Sequence, residues 1–110
     1  MKPDIDFIKW CFDKAGIKYK ENADGLFMYV YNNASWHIGT LLFKNILWSY
    51  VLQKAIEGVN KMAGYYVIEI PLEMGLWYAR VDGWDIDAMD GTINKCKESA
   101  LKHIYEQEKS

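Results

Sequence analysis

The apolar positions of this chain fall into three stripes of helical spacing, separated by two pairs of short alternating segments. Ile5, Ile8, Phe12 and Ala15 recur at helical intervals with Cys11 alongside, which predicts an amphipathic first helix. Asp4 is placed to cap it, Asp6 suits its positive end, and Gly16 is placed to stop it. Residues 17–21 then read as a short strand with Ile17 and Tyr19 on one face. Asn22-Ala23-Asp24-Gly25 has hairpin-turn chemistry, because Asp-Gly tolerates positive φ. Residues 26–31 follow as a strand whose alternation sends Leu26, Met28 and Val30 one way and Phe27, Tyr29 and Tyr31 the other.

Residues 32–44 show no clear period and read as a covering loop or a short extra element. Asn45 is placed to cap a second helix, in which Trp48, Val51, Leu52, Ala55, Ile56, Val59 and Met62 form the apolar stripe. Ser49, Gln53, Glu57 and Lys61 face away, and Gly64 ends the helix. A second strand pair is predicted at 65–70 and 76–81, joined by a turn from Pro71 to Gly75. An acidic loop over 82–90 leads to a last helix running to about residue 106. Its stripe is Ile93, Cys96, Ala100, Leu101 and Ile104, with the stem of Lys97 able to snorkel.

The order helix-β-β-helix-β-β-helix predicts an α+β fold in one domain, residues 1–110. The expectation is a mainly antiparallel four-stranded sheet with helices packed on both faces. At 110 residues with 51% apolar side chains the chain can bury a core of its own. Cys11 and Cys96 lie far apart without a CxxC spacing and fall on apolar helix faces, so they read as core thiols. No cationic, apolar leader opens the sequence, and a cytoplasmic protein is expected. The long uncharged run over 25–43 contains Asn32, Asn33, Ser35, His37 and Thr40, too polar for a membrane span. A net charge of −2 argues against a dedicated nucleic-acid binder.

Candidate chemistry is thin. Asp82, Asp85, Asp87 and Asp90 could offer oxygen ligands to a hard cation, but the spacing fails the calcium-loop pattern. A capped helix and a solvated loop explain them more simply, so no metal and no cofactor are expected. His37 and His103 lack any metal-ligand or nucleophile spacing, and no catalytic residue is assigned. Aromatic residues stand out, with five Trp and eight Tyr. Phe27, Tyr29, Tyr31, Tyr65 and Tyr78 share the sheet face opposite Leu26, Ile68 and Trp77, where a packed helix is the simpler expectation and base stacking the alternative. Trp36 and Trp84 fall in predicted loops and are the stronger candidates for partner contact. The candidate partner-binding set is therefore Trp36, Trp84, Tyr29, Tyr31, Tyr65 and Tyr78.

Several residues together resemble the small phage "ABA sandwich" proteins. They are Trp48, Ala55-Ile56-Glu57, Gly64-Tyr65-Tyr66-Val67, Trp77-Tyr78, Asp90-Gly91-Thr92-Ile93, Cys96, Ala100 and Leu101, with the opening helix in the expected place. The resemblance implies a sandwich fold and a phage or mobile-element origin, and it transfers no active site. On it rests the expectation of a non-enzymatic accessory protein that binds a protein partner and inhibits or modulates a host factor. The alternatives are single-stranded nucleic-acid or nucleotide binding through the aromatic sheet face, and a small metal-assisted hydrolase built on the 82–90 loop. A homodimer through an exposed strand edge is a further expectation.

Overall fold

The computed structural model describes residues 4–30, 34–62, 66–89 and 92–109. Helix α1 (Ile5–Ala15) starts as its sequence demands: the Asp4 carboxylate accepts the Phe7 N–H at 3.1 Å, and Gly16 closes the helix in a left-handed conformation. Strands β1 (Tyr19–Asn22), β2 (Gly25–Tyr29) and β3 (Ser35–His37) form one antiparallel sheet in that order. The chain then enters a π-helical segment, Phe43–Leu47, that runs directly into α2 (Trp48–Asn60). A second antiparallel sheet holds β4 (Ile68–Glu69), β5 (Leu72–Glu73), β6 (Leu76–Val81) and β7 (Trp84–Met89), and α3 (Ile93–Lys109) ends the fold.

The α+β class is as the periodicity predicts, but the single four-stranded sheet is not. Two further segments are strands, and each completes a separate sheet: one lies where a covering loop or short extra element is expected, the other where an acidic loop is expected. Ser35, Trp36 and His37 pair with β2, and residues 84–89 pair with β6. Each predicted hairpin thereby acquires a third row of its own, and among the described residues no strand of one sheet pairs with the other. β4 and β5 lie end to end along one edge of β6 in a common register, Ile68 opposite Val81 and Leu72 opposite Trp77. Pro71 sits between them. Its carbonyl accepts the Tyr78 N–H at 3.0 Å, but it has no N–H to return, so the ladder is interrupted and then resumes. The turn is consequently Met74-Gly75 alone, not the whole of 71–75.

The turn between β6 and β7 is Asp82-Gly83, with φ of 54° and 84°. Positive φ at both central residues is the tight hairpin turn that matches strand twist, and Asp-Gly is the dipeptide that favours it. A register shift beside Arg80 leaves Ile86 without a partner across the strand pair, a β-bulge that turns Asp87 towards α3.

One core joins the three helices and both sheets. Leu26, Met28 and Ile38 enter it from the first sheet, Ile68, Ala79 and Val81 from the second. The helices supply Phe12, Leu52, Leu101, Ile104 and both cysteines, all fully enclosed. The second sheet rests on α3 through β6 and β7, and α2 reaches it at β4. There the Asn60 side-chain amide takes both backbone groups of Ile68, donating to its carbonyl at 3.0 Å and accepting its N–H at 2.7 Å. Helices α1 and α2 cross at Gly58, where an added Cβ would stand 1.8 Å from the Lys14 carbonyl oxygen. Only a glycine lets the two backbones approach so closely.

Candidate functional site

The second helix begins earlier than its sequence suggests. Residues 41 and 42 are already helical, and the Thr40 hydroxyl oxygen accepts the Phe43 N–H at 3.2 Å. Thr40, not Asn45, therefore caps the helix, and Asn45 lies inside the π-helical turn. That wider turn, closed by the Trp48 N–H on the Phe43 carbonyl, brings side chains five apart onto one side. The Phe43 and Trp48 rings stand 5.9 Å apart as a result. Phe7 of α1 meets Trp48 edge-on at 6.3 Å, and Phe12 meets Phe43 at 6.2 Å.

The Phe7, Phe43 and Trp48 rings line a groove of about 960 Å³. Its apolar lining comes from Ile5, Phe7 and Ile8 of α1, Leu26 and Ile38 of the first sheet, and Phe43 and Trp48. Asp4, Lys44, Glu98 and Lys102 border it. Glu98 accepts a hydrogen bond from the Trp48 indole N–H, so α3 is tied to the groove wall. The groove is apolar inside, with a few polar groups at its margin.

His37 stands at the groove and its role there is mechanical. Its Nδ1 accepts the Gly39 N–H at 2.8 Å, which fixes the tautomer and leaves Nε2–H to donate to the Asp24 carbonyl at 3.0 Å. The ring also packs edge-on against Phe27 at 5.1 Å. Gly25, at φ +127°, gives the imidazole its room, since a Cβ there would lie 2.4 Å from Nε2. His37 thus fastens the β1–β2 turn to the end of β3 and holds the groove wall formed by Leu26 and Ile38. With both nitrogens engaged by backbone, it is not offered as a base.

The candidate residues from sequence do not converge. Trp36 lies on β3 at 39% exposure and Trp84 on β7 at 77%, in different sheets, and neither lines the groove. Tyr29 belongs to the first sheet and Tyr78 to the second, so the aromatic residues do not form one continuous face. Tyr31 and Tyr65 lie outside the described residues. Helices take the Leu26 and Met28 face of the first sheet, while over its rings lies Lys20, with its ammonium 5.2 Å from Phe27 and 5.6 Å from Tyr29. Arg80 stands 5.9 Å from the Tyr78 ring in the same manner.

The acidic segment separates rather than gathers its carboxylates. Asp82 accepts the Val67 N–H at 2.9 Å, Asp85 binds Arg80, and Asp87 accepts the Ser99 hydroxyl at 3.1 Å. Asp90 lies outside the described residues. Strand alternation and the bulge send these groups to different neighbours, and among the described residues no group of three or more His, Cys, Asp or Glu could hold a metal ion. Arg80 also grips Glu73 through two bonds of 2.9 Å, which hold the Glu73 carboxyl below its usual range. Cys11 and Cys96 are free and buried, and burial pushes the Cys11 thiol up, away from thiolate chemistry.

Sequence periodicity could not find the groove, because its lining comes from five separated segments. The signals that existed were local: Thr40 ahead of a helix, and Phe43 and Trp48 flanking it. No described helix is long and apolar enough to cross a membrane. No family model, curated protein or solved structure matches this chain.

Proposed function

We propose that this protein works by non-enzymatic binding and that the groove between α1, the β2–β3 hairpin, the π-helical segment and α3 is its binding site. The observation that carries the reading is the groove itself: an apolar cleft lined by the Phe7, Phe43 and Trp48 rings, with His37 and the Trp48–Glu98 bond fixing its walls. In the phage setting that the sequence resemblance implies, the occupant belongs to the host, and filling the groove is how the protein modulates it. The test is a titration with a neutral apolar dye, Nile red, followed by amide and indole chemical shifts. Saturable shifts at Ile5, Ile38 and Trp48 are expected. Shifts confined to Trp36, Trp84 and their neighbours, or no saturable binding, would sink the reading.

A second reading is favoured by the Lys20 side chain over Phe27 and Tyr29. A cation beside two rings on a central strand is the arrangement on which unpaired bases stack. It predicts salt-sensitive binding of short oligonucleotides that Tyr29→Ala and Lys20→Ala both weaken. Flat titrations at low salt would end it.

A further inference from the structure

We propose that the groove selects amphipathic anions: an apolar chain or ring system that ends in a carboxylate or phosphate head. The inference rests on the groove being the binding site and adds the chemical class of its occupant. Four charged side chains border the groove, two acidic and two basic, and they are not equivalent. The Asp4 carboxylate caps α1 through the Phe7 N–H, where the positive end of the helix offsets its charge. Glu98 is turned to the Trp48 indole and held there. Both acids are thus engaged by donors of the protein itself.

The two lysines are not. The ion pairs formed by described residues are Lys9–Glu21, Lys14–Glu108, Lys54–Glu57, and Arg80 with Glu73 and Asp85. Neither Lys44 nor Lys102 appears among them. The Lys102 ammonium stands 5.9 Å from the centre of the Phe7 ring, so one cation already leans over the apolar floor. Lys44 projects from the π-helical turn that carries Phe43 into the wall. An occupant with an apolar body fills the space between Ile5, Phe7, Ile38, Phe43 and Trp48, and its anionic end meets these ammonium groups at the margin. A cationic head would meet two like charges there that no described carboxylate neutralises, and a neutral head would gain nothing from them.

The test compares dodecanoate, dodecyl phosphate, dodecanol and dodecyltrimethylammonium, each below its micelle concentration, by calorimetry and by chemical shifts of Ile5, Ile38 and the Trp48 indole. Saturable binding of at least one of the two anions is expected, tighter than dodecanol, with the preferred head identifying the source chemistry. The Lys44→Glu, Lys102→Glu double variant changes two exposed side chains, and an unchanged melting temperature verifies its fold. It should weaken anion binding by about ten-fold or more and dodecanol binding far less. Anions that bind no tighter than dodecanol, or that ignore the charge reversal, overturn the anion selectivity while the groove remains the site. If none of the four compounds shifts the groove residues, both this inference and the groove reading fall.

Discussion

The outer faces of the two sheets place a cation over aromatic rings in much the same way and use it in opposite ways. On the first sheet Lys20 lies over Phe27 and Tyr29, and no carboxylate among the described residues pairs with it. On the second, Arg80 lies beside Tyr78 but is clamped by Glu73 from one neighbouring strand and Asp85 from the other. The guanidinium fork can satisfy two carboxylates at once, whereas an ammonium on a flexible stem is a single mobile charge. The second face therefore spends its cation on joining strands. The first leaves its cation on the rings of its own sheet. Similar composition on two surfaces thus gives one whose cation is paired with carboxylates and one whose cation lies over rings.

Five substitutions break or sharpen this contrast. Gly58→Ala should do the most damage, about 3 kcal/mol, because the methyl group meets the Lys14 carbonyl at a backbone crossing that cannot yield without shifting α1. Both sheets share this helical frame, so hydrogen exchange should report equal loss in β2 and β6. Loss in one sheet alone would mean that the two do not hang on a common frame. Asn60→Ala should cost about 1–3 kcal/mol, since it strands the N–H and carbonyl of Ile68. Here exchange should rise in β4 and β6 while β1 and β2 stay protected.

Arg80→Met should lower the melting temperature measurably, leaving Glu73 and Asp85 unneutralised on adjacent strands, while Lys20→Met should leave it nearly unchanged. Equal shifts would erase the distinction drawn between the two faces. The smallest effect concerns pH. Hydrogen bonding from Arg80 depresses the Glu73 carboxyl in the folded state, so its contribution is present above the unfolded carboxylate range and is lost as pH falls through the lower folded value. Glu73→Gln should flatten the acid limb of the melting curve below about pH 4 and leave the neutral region flat. An unaltered acid limb would show that the pair is not maintained in solution.

What could be read from sequence was what depends on near neighbours. Asp4 and Gly16 delimit α1 because caps and left-handed closures act within one turn, and most of the apolar stripes of α1, α2 and α3 became the core, with Met62 left exposed past the end of α2. The segments 35–37 and 84–89 could not be read. Ser35-Trp36-His37 is too short to show alternation, and Asp85 and Asp87 resemble a solvated loop until Arg80 and Ser99 are in place across the fold. Asp82-Gly83 carries the same turn chemistry as Asp24-Gly25. Its strand partner was obscured by acidic residues whose partners, Arg80 and Ser99, come from β6 and α3. The groove was illegible for a related reason: Phe7, Ile38, Phe43 and Trp48 each look like ordinary core positions in their own segments, and only the packing of α1 against the π-helical turn leaves a hollow between them.

The Asn60 amide has a consequence beyond the stability of the second sheet. Ile68 turns its N–H and carbonyl away from β6, toward the side on which another strand would add. A carboxamide offers the same donor and acceptor as one peptide unit of such a strand, and it comes from a helix that cannot extend the ladder. This part of the edge is therefore closed to a second molecule by a single side chain. An Asn60→Ala protein should accordingly lose solubility as its concentration rises, by strand addition between molecules, at temperatures where each domain is still folded.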